Sequence, residues 1–355
     1  MEVGVPGADQ SLHDRRIERI TPLVTPALLM HEQPLPAERV EQVLGHRREV
    51  TAVLDRADPR LMVVVGPCSV HDPEAALDYA RRLAALAPEL DDLLLVMRVY
   101  FEKPRTTTGW KGLINDPSLD DSGDVNAGMR MARELLLDVL ALGLPVGCEF
   151  LDPITPQYIA DTVSWGAIGA RTTESQTHRQ LASGLSMPIG FKNRTDGDVA
   201  VAVDAVRAAA APHSFAGVEL GGGSAILRTT GNGDCHVILR GGAEPNYDAA
   251  SIAAALGRLR DVGLPERLII DASHANSGKD HERQPAVSAE IGRQVAAGNE
   301  AIVGVMLESF LVAGNQPIGP DLTYGQSVTD KCMDWEATVE VLDGLDESAR
   351  ARRSG

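Results

Sequence analysis

The sequence predicts a closed (β/α)8 TIM barrel with an N-terminal extension and an inserted β-hairpin, and three observations carry that prediction. Eight short apolar runs alternate with segments of helical composition along most of the chain, the pattern of parallel strands buried on both faces and separated by crossover helices. The length of 355 residues suits one undivided barrel. Residues 168–193 hold the clearest unit: an apolar run ending at Arg171, helix formers stopped by Gly184, and a second apolar run ending at Lys192. A strand, helix and strand of roughly 25 residues is the length of a parallel crossover. Both cations then stand on the C-terminal edge of the sheet, where barrels bind their ligands.

Taken in order, residues 1–60 form an N-terminal arm, rich in proline over 21–36 and helical over 36–55, where Val40, Val43, Leu44, Val50 and Val53 recur at helical spacing. Such an arm can close the barrel bottom, contact another subunit or carry regulation. The catalytic barrel occupies residues 61–355. Its first run, 61–65, ends in Gly66-Pro67-Cys68, and Asp72 followed by Pro73 supplies a cap and a first helical residue. The second run, 93–100, leads into a loop where Arg98, Lys103 and Arg105 put three cations within eight residues. A helix over 126–142 precedes the third run, 145–150, which carries Glu149, and a helix over 157–164 follows it. The remaining runs are 168–170, 188–191, 237–239, 268–270 and 302–307. Residues 213–230 break the alternation, because 215–220 and 225–227 are short and flank Gly221-Gly222-Gly223. A hairpin outside the barrel fits better than a phosphate loop, since no helix follows the glycines.

Composition bounds the function. A formal charge of -17 disfavours nucleic acid or an anionic membrane surface as partner, so any anionic substrate needs cations gathered locally. Cys68, Cys148, Cys235 and Cys332 are far apart and lack paired spacing, which points to a reduced compartment. No apolar run reaches membrane-spanning length, and the N-terminus has no signal-peptide core, so the expected setting is the cytoplasm.

The polar residues at the ends of the runs, in order, are Cys68, Arg98, Glu149, Arg171, Lys192, Arg240, His274 and Glu308, with Lys103, Arg105 and Asp330 in the loops. Six cations exceed the need of one phosphate, and unpaired burial of so many would be costly. They imply ligands with several negative charges, such as one molecule with a phosphate and a carboxylate and a second with a phosphate. Cys68, His274, Glu308 and Asp330 together offer one thiolate, one imidazole and two carboxylates, a mixed set suited to a divalent first-row metal rather than to a closed structural zinc site.

The segments GPCSVHDP (66–73), MRVYFEKPRTT (97–107), GWKGLINDP (109–117), SWGAIGARTTESQTHR (164–179), GFKN (190–193), HVILRGG (236–242), DASHANSGKD (271–280), GVMLES (304–309) and YGQSVTD (324–330) resemble those of the type I 3-deoxy-D-arabino-heptulosonate 7-phosphate (DAHP) synthases. The resemblance spans nearly the whole chain. It implies a transferase that condenses phosphoenolpyruvate with D-erythrose 4-phosphate at the entry to the shikimate pathway, in a homodimer or homotetramer. It implies a divalent ion, Mn2+, Fe2+, Co2+ or Zn2+, on Cys68, His274, Glu308 and Asp330. It implies phosphoenolpyruvate contacts from Arg98, Lys103, Arg171, Lys192 and Arg240 with Glu149 nearby, and aldose phosphate contacts from Arg105 and Thr106. Catalytic roles fall to Lys103, Arg98, Glu149 and His274, with Lys103 either a proton donor or a fixed charge.

The resemblance further implies an aromatic amino-acid inhibitor site formed by the hairpin and arm, with Asp152, Pro156, Gln157, Leu181, Leu185, Ser186, Phe215 and Gly217. The small Gly217 and the Asp152-Pro153 pair point to tyrosine, because a missing side chain leaves room for a phenol hydroxyl. Arg194 after GFKN and the 219–223 segment depart from the family pattern and bear on regulation. Cys332, two residues from Asp330, is expected to reach Cys68 when the metal is removed. Competing readings are a sister synthase that takes a different aldose and a catalytically silent barrel that acts as a regulatory partner.

Overall fold

A computed structural model describes residues 12–105 and 107–354. Eight parallel strands close into a barrel: β1 Leu61–Gly66, β2 Leu93–Arg98, β3 Val146–Glu149, β4 Trp165–Ile168, β5 Ile189–Lys192, β6 His236–Leu239, β7 Leu268–Asp271 and β8 Ile302–Glu308. Each strand pairs with its neighbours in chain order, and β8 pairs with β1, with Gly66 opposite Glu308. No edge is left, and the strand C-termini converge on one mouth.

Alternation sorts the core. Met62 and Val64 of β1 join Leu94, Val96, Trp165, Ile238, Ile269 and Met306 in a cluster inside the barrel, while Val63 and Val65 pack outward toward the helices. Val50, Val53 and Leu54 belong to the inner cluster and come from helix α2, Ala37–Leu54, which stops the barrel bottom. A shorter helix, α1 Pro26–Glu32, lies within the proline-rich stretch, where the sequence reading named no helix; Thr25 caps it through Leu28 N at 3.2 Å, and Pro26 needs no donor at its first position.

Outside the barrel, Ser214–Val218 pairs antiparallel with Ser224–Arg228, as expected of a hairpin. Its tip is tied to the arm, because Ala27 N donates to Leu220 O at 2.8 Å. Some boundaries differ from expectation. The fourth strand runs Trp165–Ile168, so Arg171 stands three residues beyond it. The expected 157–164 helix divides into Pro156–Ile159 and a 3-10 turn at Ala160–Thr162, and the helix formers ahead of Gly184 form the short helix Gln176–Ala182 behind the cap of Ser175. Short apolar runs do not carry their own end signals; the pairing register with β3 and β5 sets where β4 stops.

Candidate active site

The barrel mouth brings together most of the strand-end residues. Arg98, Lys103, Glu149, Arg171, Lys192, Arg240, His274 and Asp330 line one small cavity of about 40 Å³, joined by Lys279 and Thr195. Parallel pairing puts the C-terminal ends of all eight strands side by side, so residues more than 200 positions apart in the chain become neighbours.

Arg98 is 1% exposed and fully engaged. Its guanidinium donates to Pro67 O at 3.0 Å, to Cys68 O at 3.0 Å and to Glu308 Oε1 at 2.9 Å, and it lies over the Tyr100 ring with 3.8 Å to the centroid. Lys103 Nζ donates to Cys68 Sγ at 2.7 Å and to Asp330 Oδ2 at 3.2 Å. Burial works against the Lys103 ammonium, but Cys68, Asp330 and Glu308 outweigh it and push its pKa up. Burial, reinforced by Glu308, pushes the Cys68 thiol up to about 11. Burial likewise opposes the Glu308 and Asp330 carboxylates, yet His274, Arg98 and Lys103 hold the first below its usual range, and Lys103 and His274 hold the second well below it.

The donors suited to a metal are Cys68, Glu308 and Asp330, whose ligand atoms all lie within 4.8 Å of one another. His274 stands beside this triad, with Nε2 3.6 Å from Glu308 Oε1. Its Nδ1 faces Asp271 Oδ2 at 2.8 Å and Ser273 Oγ at 2.8 Å, which keeps that nitrogen as donor and turns the Nε2 lone pair toward the triad. One buried thiol, one buried carboxylate, one half-buried carboxylate and an oriented imidazole fit a divalent ion, whose binding would displace the thiol proton.

On the opposite wall, Lys192 Nζ bonds Asp271 Oδ2 at 2.9 Å. Burial lowers the Arg240 pKa, and neighbouring Arg171 lowers it further while Asp271 opposes. Gly169 leaves room for Glu149: a Cβ at this glycine would collide with the Glu149 Oε1.

One expected contact is not gathered. Arg105 is exposed, donates to Trp110 O at 2.8 Å and does not line the cavity. Thr106 lies outside the described residues. Asp271 and Lys279 were missed by sequence reasoning; Asp271 ends its strand as an acid and Lys279 is a cation in the loop after it, and that placement was the available signal.

A second, larger cavity of about 610 Å³ lies between the hairpin and Gln176–Ala182. Pro156, Gln157, Leu181, Leu185, Ser186 and Phe215 line it; Asp152 and Gly217 do not. Leu227 packs beside Gly217, its Cδ1 2.6 Å from where a Cβ would stand.

A closed parallel barrel with cations and metal-type donors gathered at its C-terminal mouth defines a barrel enzyme built for small anionic substrates. The chain belongs to the DAHP synthetase I family, whose profile matches residues 41–343. It is 55% identical to the Phe-sensitive phospho-2-dehydro-3-deoxyheptonate aldolase of Escherichia coli, over 96% of this chain and 98% of that one. It is 54% identical to the Tyr-sensitive enzyme of the same species, over 90% and 91% of the two chains. Among solved structures, the phospho-2-dehydro-3-deoxyheptonate aldolase of Francisella tularensis superposes with a TM-score of 0.93 at 51% identity, covering 95% of this chain and 99% of that one.

Proposed function

We propose that the chain condenses phosphoenolpyruvate with D-erythrose 4-phosphate and water to give DAHP and inorganic phosphate, the first step of the shikimate pathway, with residues 61–355 as the catalytic unit. The observation that carries this reading is the single mouth at which Arg98, Lys103, Arg171, Lys192 and Arg240 meet the donor set of Cys68, His274, Glu308 and Asp330. Arg171, Lys192 and Arg240 hold the phosphate and carboxylate of phosphoenolpyruvate, and Arg98 closes the floor beneath it. Fixing the enol C3 against the aldehyde carbon converts a two-body encounter into a positioned one.

Cys68, His274, Glu308 and Asp330 would hold a divalent ion, Mn2+, Fe2+, Co2+ or Zn2+, which would supply Lewis-acid polarisation of the aldehyde oxygen. As the C–C bond forms, that oxygen takes a proton, and Lys103 is placed to donate it or to balance its charge. Water then adds at C2, Glu149 takes the proton released, and the C–O bond to phosphate breaks while the surrounding cations stabilise the leaving group. The family resemblance assigns the aldose phosphate contacts to Arg105 and Thr106, and Arg105 itself lies outside the small cavity. Lys103→Met is expected to lower kcat by roughly 100-fold to 10,000-fold while phosphoenolpyruvate binding, measured by calorimetry, persists. Loss of binding with it would assign Lys103 to substrate capture instead.

An aromatic amino acid in the hairpin cavity is the inhibitor, and calorimetry with tyrosine, phenylalanine and tryptophan decides which. A homodimer or homotetramer is supported by apolar surface on the arm and hairpin, where Leu28, Val40, Leu44, Leu220 and Ile226 are exposed. A cytoplasmic setting is supported by four free cysteines, and among the described residues no helix is long and apolar enough to cross a membrane. The decisive experiment is phosphate release by the metal-loaded protein from phosphoenolpyruvate with a panel of aldoses. Rapid release with erythrose 4-phosphate is expected; release only with another aldose, or none with any metal, would overturn the reading.

A further inference from the structure

We infer that Asp271 is a positioning residue shared by the two halves of the site, coupling occupancy of the anion pocket at Lys192 to metal affinity at His274. Its carboxylate is fully buried. Oδ2 meets Lys192 Nζ at 2.9 Å and His274 Nδ1 at 2.8 Å, so one oxygen serves a cation of the substrate pocket and a metal-type imidazole together. Oδ1 is held by Ser273 N at 3.0 Å and Ser273 Oγ at 2.6 Å, and the Asp271 carbonyl by Asn276 Nδ2 at 2.8 Å. The carboxylate therefore cannot swing toward one partner without losing bonds.

Sharing creates competition. While Lys192 has no anionic ligand, its ammonium draws on the same carboxylate oxygen that makes His274 a strong donor. When the phosphate or carboxylate of phosphoenolpyruvate engages Lys192, more of the Asp271 charge falls on the His274 N–H, and Nε2 becomes a better ligand. Phosphoenolpyruvate thus tightens the metal and the metal tightens phosphoenolpyruvate by the same factor, since coupling between two binding equilibria is reciprocal. Asp271 touches neither reacting molecule in this scheme; it acts through Lys192 and His274.

The inference rests on the proposed function, and binding assays separate the two. Mn2+ affinity is measured by competition with a chromophoric chelator, with and without saturating phosphoenolpyruvate, alongside circular dichroism to verify folding. The unaltered protein is expected to bind Mn2+ at least about fivefold tighter with phosphoenolpyruvate. Asp271→Asn is expected to weaken Mn2+ about 10-fold to 100-fold and to bring the phosphoenolpyruvate effect within about twofold of none. Lys192→Met, which removes the competitor, is expected to bind Mn2+ tighter than the unaltered protein without phosphoenolpyruvate, and the gain is expected to vanish in Asp271→Asn/Lys192→Met, whereas simple loss of a nearby positive charge would preserve it. Unchanged or weaker Mn2+ binding by Lys192→Met overturns the inference, whether or not Asp271→Asn folds, and so does a gain that persists in the double variant. Persistent coupling in a folded Asp271→Asn overturns it equally. Failure of the unaltered protein to bind both Mn2+ and phosphoenolpyruvate removes the functional reading, and the inference with it.

Discussion

At the scale of single residues, the site depends on contacts too close to tolerate an added methyl group. Gly169 is such a point, since a Cβ would strike the Glu149 carboxylate. Gly169→Ala is expected to cost roughly 100-fold in kcat/KM, because a displacement near 1 Å misaligns the wall of the cavity. Its thermal melt should stay within a few degrees of the parent, and steady-state kinetics with a melting curve tests both. Cys68 and Cys332 form a second close pair: the Cys68 N–H donates to Cys332 Sγ at 3.4 Å, and both thiols are buried. With metal stripped by a chelator, hydrogen peroxide is expected to take two electrons and two protons from these thiols, leaving a disulfide and water. Activity should fall and return with dithiothreitol after metal is restored. Reversible loss of the same size in Cys332→Ser would exclude this pair.

At the scale of elements, the loop after β2 and the hairpin do different work. The loop holds Lys103 through Lys103 N donating to Lys111 O at 2.8 Å, and its return depends on Gly112. That glycine has φ +119°, and a Cβ there would run into the Phe101 carbonyl. Gly112→Ala is therefore expected to lower both stability, by about 1–3 kcal/mol, and turnover, read by denaturant melts and assay. The hairpin is separate from the barrel sheet, its contact with the arm running through Ala27 and Leu220. Replacing residues 214–228 by a short turn is expected to leave the barrel folded and turnover within about threefold, while abolishing inhibition by an aromatic amino acid; these magnitudes follow from the tolerance of surface loops to shortening. Loss of turnover equal to loss of inhibition would show that the hairpin supports catalysis directly.

At the scale of the whole molecule, stability carries a pH term from Glu102. Burial, with Asp152 adding to it, pushes this carboxyl up from 4.5 to about 8, although Leu151 N and Asp152 N donate to it. Between those values the folded chain holds a proton that the unfolded chain has released. Stability from this group is full below 4.5 and is lost as pH rises through about 8. Glu102→Gln mimics the protonated form, so its melting temperature relative to the parent should climb from pH 5.5 to 8.5; a constant difference would remove Glu102 as the cause. Metal acts on the same global equilibrium. A divalent ion at about 100 times its Kd should stabilise the fold by about 2.7 kcal/mol through mass action, visible as a chelator-reversible shift in melting temperature.

Apolar runs and the cations behind them were legible in the chain, because strands buried on both faces must be apolar throughout and polar side chains begin where the strands stop. That is why Cys68, Arg98, Glu149, Lys192, Arg240, His274 and Glu308 could be named from strand ends. Strand limits near β4, the exposure of Arg105, the packing of Leu227 beside Gly217, and the sharing of Asp271 between Lys192 and His274 were not legible. Each depends on what lies across the barrel or across the hairpin, and a linear order of residues carries no distance between positions 192 and 271. Closure of the sheet supplies that distance, since hydrogen-bonded register brings every strand end to one rim and decides which charges share a partner.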